Sequence, residues 1–141
     1  MDFGLSEEQE LLQSTVRGFV ENECPAGRLR ELFDAGTGHD DALWTGLVEM
    51  GLAGLTIPEE YGGSFSDVLT YGIICEEIAR VDWVVASVIS VANSLAAGSL
   101  LGFGTEAQKA TFLPGIAQGK ILCSACLTEP GGGTDLGNMQ S

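Results

Sequence analysis

The run VVASVISVANSLAAGSLLGF, Val84 to Phe103, extends for twenty residues without a charge. As a helix, that length could cross a bilayer. Against this, Ser87, Ser90, Asn93, Ser94 and Ser99 interrupt the apolar character, and no positively charged flank would orient the segment. A helix that is apolar nearly all round also suits the centre of a helical bundle. We therefore expect a core helix, with no membrane span, and the rest of the chain folded against it.

The flanking sequence supplies the other members of such a bundle. Ser6-Glu-Glu-Gln9 is a capping box, in which the Ser and Gln side chains satisfy each other's exposed backbone donors. Leu11, Leu12, Thr15, Val16 and Phe19 then recur near helical spacing, until Asn22 to Pro25 ends the helix. A short helix is expected over Arg28 to Phe33. The loop Ala35 to Asp41 follows, with aspartates able to cap the next segment and His39 exposed within it. Leu43, Trp44, Leu47 and Val48 share one face of that segment, which Gly51 should stop. Thr56 to Gly63 reads as turns, and a further helix should start between Ser64 and Asp67 and reach about Arg80. Beyond the uncharged run, Gly102-Phe-Gly104 reads as a stop. Thr105-Glu-Ala-Gln108 is a second capping box, starting a helix expected to break near Pro114. Trp44, Trp83 and Tyr61 read as packing anchors.

Composition narrows the function. Six Lys and Arg face twenty Asp and Glu, for a net charge of −14. That excludes the basic footprint a nucleic-acid binder needs, and an anionic membrane would repel the chain. A mean hydropathy of +0.21 is high for a soluble domain, and implies apolar surface that another domain or subunit covers. Cys24, Cys75, Cys123 and Cys126 are too few and scattered for a secreted disulfide framework. Cys123 and Cys126 have CxxC spacing but no second pair, so they read as small apolar residues of a buried strand, with no metal site expected. MDFGLSEEQE has no basic leader, which makes the cytoplasm the expected location.

After the helices the period changes. Lys120 to Leu127, KILCSACL, reads as a buried strand leading into CLTEPGGGTD. Three consecutive glycines suggest unusual backbone angles or a close approach. A strand, a glycine-rich turn and a Thr together can present backbone N–H groups to an anion. This is neither a P-loop nor a Rossmann turn, because both spacings are missing. One strand has no ladder partner here, so it should pair with strands this sequence does not contain.

Taken in order, LSEEQELLQSTVRGFV, LWTGLVEMGLAGLTIPEEYGG, EEIARVD, FGTEAQKATFLPGIAQGK and CLTEPGGGTD resemble the acyl-CoA dehydrogenase family over essentially the whole chain. The resemblance implies a mainly α fold of about five or six helices, residues 1–119, as the N-terminal helical domain. Residues 120–141 would be the first strand and cofactor loop of a truncated middle β-domain. It further implies FAD as cofactor and an acyl-CoA thioester as substrate, oxidised to the trans-2-enoyl form. Electrons would pass to an electron-transferring flavoprotein, and the full-length protein would be a dimer or tetramer.

Carried over to this sequence, Ala125, Cys126, Leu127 and Thr128 would face the flavin ring. Gly133 and Thr134 would meet the pyrophosphate, with Thr134 also near the pantetheine arm. Ala125 stands where the family often has an aromatic residue, loosening one wall, and Asn138 replaces a commonly small residue. Val88, Val91, Ala92 and Leu95 match positions lining the acyl pocket. Their i, i+3, i+4, i+7 spacing puts them on one helix face, although core packing explains the same stripe.

The resemblance places the catalytic glutamate in the C-terminal domain, so no catalytic residue is expected here. Glu129 and Asp135 are expected to hold the glycine turn in shape. Acyl-CoA oxidases and nitroalkane oxidases share these motifs and remain alternatives. So does an inactive helical domain serving only as a structural or interaction module.

Overall fold

Short polar side chains fix where the helices begin. Ser6 Oγ accepts from the Gln9 N–H at 3.2 Å, while Gln9 Oε1 accepts from the Ser6 N–H at 3.0 Å. Asp40 caps through the N–H groups of Ala42 and Leu43, Asp67 through that of Thr70, and Asp82 through those of Val84 and Val85. Thr105 and Gln108 form the second reciprocal box. Each cap satisfies donors that the first helical turn leaves unpaired.

The computed structural model describes residues 4–37 and 40–140. His39 therefore lies outside the described residues. Among these, the helices are α1 (Glu7–Glu23), α2 (Ala26–Ala35), α3 (Asp41–Glu49), α4 (Val68–Ala79), α5 (Trp83–Phe103) and α6 (Glu106–Ala117). Short 3-10 turns occupy Leu52–Gly54, Glu59–Tyr61 and Leu136–Asn138. The mainly α architecture expected from the sequence is what forms. Gly51, at φ +78°, stops α3 as expected, and Gly104 ends α5 in extended backbone.

Helix α4 is central, packing on α1 to one side and α5 to the other. Val16, Val20, Leu43, Leu47, Leu52, Ile74, Ile78 and Ile89 are buried together in the main core. A second cluster joins Ile57, Ala92, Ala97, Leu113, Ile116 and Ala117 at the far end of α5. The α1 stripe faces this core through Leu12, Val16, Phe19 and Val20, whereas Leu11 is exposed.

Several expectations are overturned. Pro114 does not break α6, which continues to Ala117. Proline's φ suits a helix, and burial of Leu113, Ile116 and Ala117 offsets the lost hydrogen bond. Trp83 is 72 % exposed and anchors nothing, unlike Trp44, which donates to the Gly119 carbonyl at 3.2 Å. Helix α5 is long and apolar enough to cross a membrane, and only 28 % of its most apolar window is buried. It is thus a helix with one buried face, not one enclosed all round.

Lys120 to Leu127 forms no strand, since no other segment among the described residues shares a ladder with it. Ile121, Leu122 and Leu127 are exposed, Cys123 is half-buried and Cys126 is exposed. The two cysteines are therefore not residues of a buried strand.

Candidate functional site

Beyond α6 the chain turns once, around the glycines. The Glu129 N–H donates to the Gly132 carbonyl at 3.0 Å and the Gly132 N–H returns to the Glu129 carbonyl at 3.1 Å. This closes Glu129-Pro130-Gly131-Gly132 into a tight turn. None of Gly131, Gly132 and Gly133 has a positive φ, which corrects the expectation of unusual angles. A close approach occurs only at Gly133, where a Cβ would meet Thr128 Cγ2 at 3.1 Å and Thr128 Oγ1 at 3.2 Å. Gly131 and Gly132 face open space.

The turn borders an open concavity of about 850 Å³, lined by Thr128, Gly131, Gly132, Asp135, Asn138 and Met139 among others. The N–H groups of Gly131, Gly133 and Thr134 make no hydrogen bond to the described chain, and neither do the Thr128 and Thr134 hydroxyls. Exposed main-chain donors of this kind are what an anion takes up. No lysine or arginine lines the concavity, so any positive charge for a bound phosphate comes from outside this turn.

Both nearby carboxylates are held locally. Glu129 Oε2 accepts from the Gln140 N–H at 2.9 Å, and Asp135 Oδ2 accepts from the Asn138 side-chain amide at 2.8 Å. The first bond ties Gln140 back to the turn, whereas the second stays local to the Leu136–Asn138 turn. The Asn138 partnership with Asp135 is one the sequence did not reveal.

Ala125, Cys126, Leu127 and Thr128 thus lie exposed before the Glu129–Gly132 turn, with half-buried Gly133 and exposed Thr134 directly after it. The four α5 positions are not equivalent. Ala92 is 5 % exposed, enclosed by the second cluster, so its small size leaves no free space on that side. Leu95 is 43 % exposed, while Val88 and Val91 are half-buried. Between Val91 and Ala97 the helix widens into π turns, which disturbs the spacing that would stack the four on one face.

Sequence reasoning missed Asn93, which is 1 % exposed. Its side-chain amide donates to the carbonyls of Leu52 at 2.9 Å and Ile89 at 3.0 Å, and its Oδ1 accepts from the Thr56 N–H at 3.0 Å. A single amide inside an otherwise apolar helical run was the available signal. Buried polar groups are rarely left without such partners.

Comparison with known proteins bears on the family and the fold. The family model described as "Acyl-CoA dehydrogenase, N-terminal domain" matches residues 6–120. Subunit CarC of the caffeyl-CoA reductase-Etf complex of Acetobacterium woodii is 38 % identical over 136 residues, covering 96 % of this chain and 36 % of that protein. The structure of butyryl-CoA dehydrogenase from Megasphaera elsdenii superposes with a TM-score of 0.85 at 37 % identity, over 99 % of this chain and 37 % of that one. An acyl-CoA dehydrogenase from Bacillus anthracis, solved in complex with FAD, gives 0.84 at 30 % identity over 96 % of this chain and 23 % of that one. The chain thus spans little more than a third of the curated relatives it matches. With the family model matching most of its residues and its helices superposing on those solved structures, the chain belongs to the acyl-CoA dehydrogenase family and corresponds to its N-terminal domain.

Proposed function

We propose that this chain is the N-terminal portion of an FAD-dependent acyl-CoA dehydrogenase, contributing one lip of the flavin site and one wall of the acyl pocket. The observation that carries this reading is the glycine turn. The Gly131 N–H and the Thr128 hydroxyl border an open concavity, and with the N–H groups of Gly133 and Thr134 and the Thr134 hydroxyl beside them they make no hydrogen bond among the described residues. Such a surface fits a pyrophosphate, and the open backbone at Gly131 and Gly132 leaves room for one. FAD, when bound, supplies the acceptor for the β-hydride of the substrate.

This chain's own part is binding and placement. Gly131, Gly133 and Thr134 would hold the pyrophosphate through N–H groups, and Thr134 would also touch the pantetheine arm. Ala125 to Thr128 would border the flavin ring. Val88, Val91 and Leu95 offer the acyl chain a partly exposed apolar wall, with Ala92 supporting it from behind. The α-proton would pass to a carboxylate outside this chain, as the family resemblance implies, while Glu129 accepts the Gln140 N–H.

The remaining assignments belong to the same proposal. Residues 1–119 form the helical domain and 120–141 open the next, supported by the end of α6 at Ala117 and the irregular chain beyond it. The exposed Trp83 and Phe103 support coverage of α5 by protein, in a homo-oligomer or by a further domain. Similarity to CarC supports an electron-transferring flavoprotein as electron acceptor. Four unpaired cysteines suit a reducing cytoplasm.

The test is anaerobic mixing of the full-length flavoprotein with straight-chain acyl-CoA thioesters. Bleaching of the flavin together with trans-2-enoyl-CoA as product is expected. An unbleached flavin across all chain lengths would overturn the reading.

A further inference from the structure

The hydroxyl of Thr56 donates to the main-chain carbonyl of Asn93 at 2.8 Å, across 37 residues of sequence. In a regular α-helix that carbonyl would serve the N–H of Ala97, and the Ile89 carbonyl would serve the N–H of Asn93. Here the Asn93 side-chain amide donates to the Ile89 carbonyl at 3.0 Å. Side-chain donors therefore sit on one carbonyl just before the π turns of Val91–Ala97 and on one within them. The same amide reaches the Leu52 carbonyl, and Oδ1 takes the Thr56 N–H, so the network ties the Leu52–Gly54 turn to the widened helix. It is fully satisfied, because no buried side-chain N or O among the described residues lacks a partner. Widened turns of this kind persist where neighbouring groups compensate for the displaced ladder.

Val91 and Leu95 lie inside the π segment, on either side of Asn93 in sequence. Asn93 points inward at 1 % exposure, while Leu95 is 43 % exposed. We propose that Thr56 and Asn93 are positioning residues that latch the π turns and thereby set where Val91 and Leu95 point. Resting on the functional reading above, the latch makes Thr56 a determinant of acyl-chain specificity, although it lies behind the pocket wall. Neither residue acts on the substrate directly, and both act through the helix.

Thr56→Val keeps the side-chain shape and removes the donor, and Thr56→Ser keeps the donor. In the 141-residue chain, the valine variant should shift the methyl resonances of Val91 and Leu95. It should also speed amide exchange within 91–97 by about tenfold, leaving α1 unchanged. The serine variant should restore both. If the valine variant fails to fold, Thr56→Ala carries the same readout at this half-buried position. Unchanged methyl shifts and exchange in a folded donor-less variant would overturn the latch.

In the full-length protein, the ratio of kcat/KM between a short and a long acyl-CoA should move about fivefold with Thr56→Val and return with Thr56→Ser. An unmoved ratio alongside moved methyls would overturn the specificity role. A wild-type protein that oxidises no acyl-CoA would instead sink the functional reading, with the resonance and exchange data still deciding the latch.

Discussion

The guanidinium of Arg17 grips the buried carboxylate of Glu77 with two hydrogen bonds, Nε to Oε2 at 2.8 Å and a second nitrogen to Oε1 at 2.6 Å. Arg80 adds a third bond to Oε2 at 2.9 Å. Glu77 is 2 % exposed at the contact between α1 and α4, so those bonds compensate its lost hydration. Arg17→Ala should destabilise the fold and lower the urea midpoint, because it removes two charge-assisted bonds from a buried carboxylate while Arg80 remains. Urea unfolding of the two proteins measures this directly.

The same triad has a pH signature. The hydrogen bonds from Arg17, followed by those from Arg80, outweigh burial and pull the Glu77 carboxyl from 4.5 down to about 2. A depressed folded-state value stabilises the fold above the unfolded value, and that stabilisation fades as pH falls towards the folded value. The stability gap between the native chain and Glu77→Gln should therefore be full above pH 4.5 and close as pH approaches 2. Melting temperatures of both proteins across that range check the sign. A gap that widens on acidification would contradict it.

Phe65 has a φ of +48°, in the left-handed region, yet its ring is 68 % exposed. The position is held by its N–H, which donates to the Ile57 carbonyl at 3.0 Å, and by the Ser66 N–H on the Leu55 carbonyl at 2.6 Å. Little apolar contact is lost on truncation, so relief of the backbone cost should dominate. Phe65→Gly is expected to stabilise the chain by about 0.5–1 kcal/mol, the left-handed penalty less the extra chain entropy of glycine. A lower melting temperature would show that the ring packs more than its exposure indicates.

Gly133 tests the cofactor lip. A side chain there meets Thr128 at 3.1 Å, in a turn with few ties to the helical core. Gly133→Val should leave helical content unchanged and weaken FAD binding by the full-length protein about tenfold, near 1.4 kcal/mol. Equilibrium titration of the apoprotein with FAD is the measurement.

What the sequence revealed was local. The boxes Ser6 with Gln9 and Thr105 with Gln108 each lie within three residues, and both form as read. The Thr56–Asn93 contact depends on two segments 37 residues apart, and no periodicity announces it. The π turns of α5, where that contact ends, were equally hidden. Lys120 to Leu127 has the composition of a strand, but a strand also needs a neighbour to complete its hydrogen bonds. Exposure of Trp83 was missed for a related reason, since a helix's apolar residues do not say which surface covers them. The glycine turn was recognisable as a motif that presents N–H groups, while the absence of positive φ at its three glycines emerged only from the fold.

The central claim is that this chain holds one lip of a flavin site and lacks the base that acts on the substrate. Titrating the purified 141-residue chain with FAD, then adding acyl-CoA without oxygen, tests both halves at once. The expected result is a folded helical protein that takes up no stoichiometric flavin and bleaches none on adding acyl-CoA. A yellow 141-residue chain with dehydrogenase activity would contradict the claim, because the whole site would then lie within these residues.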